Sequence, residues 1–147
     1  MTAESEPSSL RLPLLPRRAR ITLAIAAAAI LLYFSIVPPP GTGGGSLGPF
    51  SVLPQSVWLH FISYGGLAGL LAYANYHRCR SPRRYLLVIF AVTVGIGLGI
   101  ELIQLAYPTR TFSVFDILTN ASGALVGLAS WHILDQFVDF YPLADSA

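Results

Sequence analysis

His60, Tyr64, Glu101, Gln104, Arg110, Asp116 and Asn120 are polar residues set in or beside long apolar runs. Their types suit a recognition site. The carboxylates accept hydrogen bonds and carry negative charge, the guanidinium offers a planar fork to a phosphate or carboxylate, and the imidazole, phenol and amides both donate and accept. Their spacing is helical: His60 and Tyr64, Glu101 and Gln104, and Asp116 and Asn120 each recur on one helix face. Small residues extend each stripe: Ala68 and Ala72 after Tyr64, Thr93 and Gly97 before Glu101, Gly123 and Gly127 after Asn120. An ionised group at the centre of a membrane span costs about 2.5–3.5 kcal/mol, and less near its end. Such residues are therefore expected to face one another, with Arg110 as the natural partner of a carboxylate.

Three chemistries fit these residues. A binding site would use Arg110 on a phosphate or carboxylate while His60, Tyr64, Glu101, Gln104, Asp116 and Asn120 shape it. An enzyme acting on a lipid-linked substrate would use His60, Glu101 and Asp116 as acid, base or metal ligands. A small transporter would use the acids as an ion path. No H-E-x-x-H or G-x-S-x-G signature supports the second, so no residue is given a catalytic role and neither metal nor cofactor is expected. The third is weakened because the polar groups stop halfway along each segment. Structural readings stand beside all three. Ser113-Val114-Phe115-Asp116 fits a helix N-cap box, Asn120 fits an interhelical hydrogen bond, and His60 fits a helix interface.

The elements that must position these residues follow from composition. Of 147 residues, 54% are hydrophobic and 11% charged, and the mean hydropathy is +0.62. Soluble domains average about 25% charge, so this surface is expected to face lipid. A spanning helix needs about 20 apolar residues, and four segments qualify: 21–37, 57–76, 85–106 and 114–134. The first follows "RRAR" and resembles a signal peptide in that respect, but its apolar run is too long and no small-x-small site follows directly, so it is read as a retained span. The expected fold is an all-α four-helix transmembrane bundle over residues 17–141, flanked by a disordered tail at 1–16 and a short tail at 142–147.

All nine basic residues are arginine. Eight fall in two clusters, Arg11 to Arg20 and Arg78 to Arg84, and the positive-inside rule puts both clusters and both termini on the cytoplasmic side. The polar pairs then lie toward the outer face. The Gly- and Pro-rich segment before the second span is expected outside and irregular. Trp58 and Trp131 read as interfacial anchors, as do Phe137, Phe140 and Tyr141. G-x-x-x-G occurs at Gly65/Gly69, Gly95/Gly99 and Gly123/Gly127 and allows close helix contact. The lone Cys79 excludes an internal disulfide.

"HFISYGGLAGL" (60–70) and "GLGIELIQLAYPTRTFSVFDILTNASGALVG" (97–127) carry a further signal. Together they resemble the VanZ-like family of small membrane proteins: His-Phe-x-x-Tyr, then Glu-x-x-Gln, Pro-x-Arg and Asp-x-x-x-Asn-x-x-Gly. The matching residues are His60, Phe61, Tyr64, Glu101, Gln104, Pro108, Arg110, Asp116, Asn120, Gly123 and Gly127. Ser56 and Val57 stand where many relatives have an Asp-Lys pair. The resemblance implies a multi-pass protein of the cell membrane. The family takes its name from teicoplanin resistance, and its molecular activity is not settled. The expected partner is a membrane lipid or envelope precursor rather than nucleic acid, and a homo-oligomer is compatible with the fold.

Overall fold

The computed structural model describes residues 10–37, 47–76, 82–107 and 112–143. It contains four helices: α1 (Arg17–Ile36), α2 (Gln55–Ala74), α3 (Pro82–Gln104) and α4 (Val114–Leu134). Each is long and apolar enough to cross a membrane, and 20 residues of α-helix extend about 30 Å. The chain is an all-α, four-helix bundle. Its outward faces carry Leu23, Ile25 and Ile30 of α1, Leu87 and Val88 of α3, and Leu118, Leu125 and Val126 of α4, all exposed. In water such faces would associate or aggregate; in lipid they are solvated.

The interior is made of small residues. Ala68 and Ala72 of α2 and Ala124 of α4 are completely buried. The α2–α4 seam is the most extensive helix contact, and glycine creates it. A Cβ on Gly127 would lie 2.2 Å from the Gly65 carbonyl oxygen, and one on Gly123 would lie 2.2 Å from that of Phe61. The other G-x-x-x-G glycines do not share this role: a Cβ on Gly69, Gly95 or Gly99 would meet nothing within 4 Å. A glycine spacing alone does not say which face meets a neighbour.

Three hydroxyls within the helices are satisfied locally. Thr93, Thr119 and Ser122 donate to the carbonyls of Ile89, Phe115 and Leu118, each four residues back.

The first and last described segments meet at one end of the bundle. Residues Leu10–Leu14 form β1 and Val138–Pro142 form β2, paired in parallel from Leu10↔Val138 to Leu14↔Pro142. The irregular tail expected through residue 16 therefore gives way to a strand at Leu10. Both strands lie at this end because β1 leads into α1 and β2 follows α4. Leu14 and Val138 are buried beneath this ribbon, so the segment has an apolar contact that the Pro/Ser-rich composition concealed.

An aromatic cluster joins the strands to the helices. Trp131 stacks on Phe140 at 5.8 Å and meets Tyr73 and Tyr76 edge-on. Trp131 is 8% exposed; it is a core residue and not the interfacial anchor expected from its place near a span end. Burial and then the Asp135 carboxylate, which the Tyr76 hydroxyl also contacts, hold that hydroxyl above the usual phenol range.

Arg20 completes this end. It is buried, its guanidinium donates to the carbonyls of Tyr73 (2.7 Å) and Leu15 (2.9 Å), and it lies over the Tyr73 ring. It thus caps the last turn of α2, where carbonyls lack helical partners, and Asn75 does the same for Leu71. Arg20→Ala should lower stability by about 1–3 kcal/mol by removing the charged donor shared by the Tyr73 and Leu15 carbonyls. Arg20→Lys, which lacks the planar fork, should recover only part of it. Thermal unfolding in detergent reads both.

Candidate functional site

The opposite end of the bundle holds the ends of α1 and α3 and the starts of α2 and α4. Here three helices bring polar side chains together. On α2, His60 sits one turn before Tyr64, with their rings parallel at 6.3 Å and 6°. On α4, Asn120 accepts at 3.0 Å through its carbonyl oxygen from His60 Nδ1. A carbonyl oxygen only accepts, so the bond forms in the tautomer with the ring proton on Nδ1, in which Nε2 is an acceptor. On α3, Glu101 is 1% exposed, as are Tyr64 and Asn120. Glu101 and Asp116 both lie within electrostatic reach of the Tyr64 hydroxyl.

Gly97 lets α3 approach. A Cβ there would come to 3.0 Å from both Asn120 Nδ2 and the Tyr64 ring. The Tyr64 and Asn120 side chains therefore pack against bare α3 backbone, one turn before Glu101. Any side chain at position 97 would compete for the space they hold.

The start of α4 explains how Asp116 is presented. Ser113 is the N-cap, and its hydroxyl accepts from the Asp116 N–H at 3.1 Å. In a full capping box the acid at the third helical position reaches back to the N-cap N–H. Glu101 takes that N–H instead: Ser113 N donates to Glu101 Oε2 at 3.1 Å. The helix start is thus capped by its own serine and by a carboxylate from α3. The Asp116 carboxylate is released from the reciprocal role that its sequence position suggested. It remains in the first turn, where negative charge is favoured by the helix dipole.

Two buried polar atoms at this site have no hydrogen-bond partner among the described residues: the Tyr64 hydroxyl and Asn120 Nδ2. Buried polar groups are paired in the great majority of cases, so two such atoms leave the network incomplete among the described residues. His60 and Asp116 are only half buried. They form the open rim, and Tyr64, Glu101 and Asn120 form the floor.

The remaining expected residues are placed differently. Gln104 is buried, but its amide donates to the Ser35 carbonyl at 2.8 Å, so it ties α3 to the end of α1. Arg110, with its expected carboxylate pairing, lies outside the described residues, as does Cys79. Sequence patterning missed the Glu101–Ser113 contact. The only cue was a capping serine whose N–H needed an acceptor, and nothing local pointed to α3.

Four apolar helices with a buried polar constellation at one end define a multi-pass membrane protein. The chain belongs to the VanZ/LLP1 family, whose model matches residues 21–135. No curated protein and no solved structure matches it.

Proposed function

We propose that this protein binds the headgroup of a membrane lipid or a lipid-linked envelope component through the polar site of α2, α3 and α4. The observation that carries this reading is the pair of orphaned floor atoms, Tyr64 Oη and Asn120 Nδ2, behind a half-exposed rim of His60 and Asp116. A site with unmet hydrogen-bonding capacity, set at the level where a bundle meets headgroups, is suited to a polar group on an apolar stem. The described arginines at the strand end, Arg11, Arg17, Arg18, Arg20, Arg83 and Arg84, favour placing that end in the cytoplasm and the site on the outer side of the cell membrane.

The test is retention of lipid through purification. Wild-type protein, extracted from a mixed-lipid membrane and examined by native mass spectrometry, should keep a lipid that washing removes from His60→Ala. That substitution removes a rim group and frees the Asn120 carbonyl, but leaves the α2–α4 glycine seam intact. Equal retention by both proteins, or no retained lipid in either, would contradict the proposal.

A further inference from the structure

The chemistry of the site is lopsided, and this narrows what it can hold. Its acceptors are the carboxylates of Glu101 and Asp116, the lone pairs of the Tyr64 hydroxyl and, at the rim, His60 Nε2 in the tautomer with its proton on Nδ1. Its unpartnered amide donor is Asn120 Nδ2. The described arginines, Arg11, Arg17, Arg18, Arg20, Arg83 and Arg84, belong to β1 or to the starts of α1 and α3, at the strand end. Among the described residues, then, no lysine or arginine accompanies the two acids. Even with Arg110, which lies outside them, counted in full, the sequence offers one arginine for two carboxylates. One of these, Glu101, is 1% exposed. Uncompensated charge at such a depth is costly.

We infer that the site takes a primary ammonium group, such as that of an ethanolamine-type headgroup. An ammonium offers three N–H donors, and Glu101, Asp116 and Tyr64 offer three acceptors from three helices. The orphaned Asn120 amide donates to an oxygen on the adjacent atoms of the same ligand, such as a phosphate ester. A trimethylammonium fits poorly. It has no N–H to give. A headgroup with hydroxyls and no amine satisfies hydrogen bonds but leaves the charge uncompensated. This inference rests on the headgroup-binding reading above and adds the identity of the recognised group.

The experiment places full-length protein in nanodiscs containing equal parts of phosphatidylethanolamine, phosphatidylcholine and phosphatidylglycerol, then counts the lipids retained after detergent washing. Phosphatidylethanolamine should be enriched about tenfold over both others, the scale of one charge-assisted hydrogen bond. Asp116→Asn should erase most of that enrichment, and Tyr64→Phe part of it, with melting behaviour kept. Glycerophosphoethanolamine should displace the retained lipid, showing that the headgroup is recognised whether or not acyl chains are attached. Displacement by glycerophosphoglycerol at the same concentration would overturn the inference, as would equal retention of phosphatidylcholine. In either case the binding site itself would stand. Retention that matches the bulk composition would overturn the inference and the headgroup reading together.

Discussion

Gly127→Leu should separate α2 from α4 and produce a large loss of stability, with Gly127→Ala giving a smaller loss in the same direction. The reason is what a side chain at this position meets. The first added carbon would lie 2.2 Å from the Gly65 carbonyl oxygen and 2.8 Å from its carbonyl carbon. These are backbone atoms in the middle of a helix, and they cannot rotate away as a side chain can. Inserting a methyl group into a well-packed core typically costs about 1–3 kcal/mol, and here relief requires moving an entire helix. In lipid, where apolar surface gains little by association, close backbone packing supplies much of the helix–helix attraction. The loss therefore falls on the main source of bundle stability. Gly95→Ala is the control. A Cβ at position 95 has nothing within 4 Å, and alanine is the better helix former by about 1 kcal/mol. Unfolding in mixed detergent should show Gly127→Ala well below wild type and Gly95→Ala at or above it. Equal behaviour of the two would mean that α2 and α4 do not meet at this seam.

Glu101 has two roles that substitution can separate. Its Oε2 accepts the Ser113 N–H, and on the headgroup-binding proposal its carboxylate also receives the ligand. Glu101→Ala removes both. The Ser113 N–H loses its acceptor at the start of α4, which should cost about 1–3 kcal/mol, and the enrichment of ethanolamine lipid should vanish. Glu101→Gln keeps an acceptor oxygen and close to the same volume. It should hold the fold near wild type while cutting the enrichment about tenfold. Melting measured beside lipid retention distinguishes the two variants. If Glu101→Gln loses stability as fully as Glu101→Ala, the carboxylate serves the fold alone.

The sequence made the helices legible because apolar runs of this length have few alternatives. It also brought His60, Tyr64, Glu101 and Asn120 to the same level, since polar residues recurring on one face near the end of a span point to one depth. What it concealed were contacts between segments distant in the chain. Gln104 shares a helical face with Glu101, yet its partner is the Ser35 carbonyl of α1, and a backbone acceptor leaves no trace in side-chain patterning. Asp116 has the spacing of a capping-box acid, and only the arrival of Glu101 from α3 changes its role. Arg20 reads as one more topology arginine until Tyr73 and Leu15 are placed beside it. The strand pair was hidden for the same reason: β1 and β2 lie at opposite ends of the chain. Trp131 misled because its position near a span end matches an interfacial anchor, whereas packing against Phe140 and Tyr73 puts it in the core.

The measurement that most directly tests the convergence of α2 and α4 on one polar site is a double-mutant cycle between His60 and Asn120, read in both stability and lipid retention. Their side chains meet at 3.0 Å, so His60→Ala and Asn120→Ala should be non-additive, with a coupling of about 0.5–3 kcal/mol in stability. Lipid retention should be lost in either single variant and fall no further in the double. Additivity within about 0.5 kcal/mol, with independent effects on retention, would mean that the two residues do not share a site.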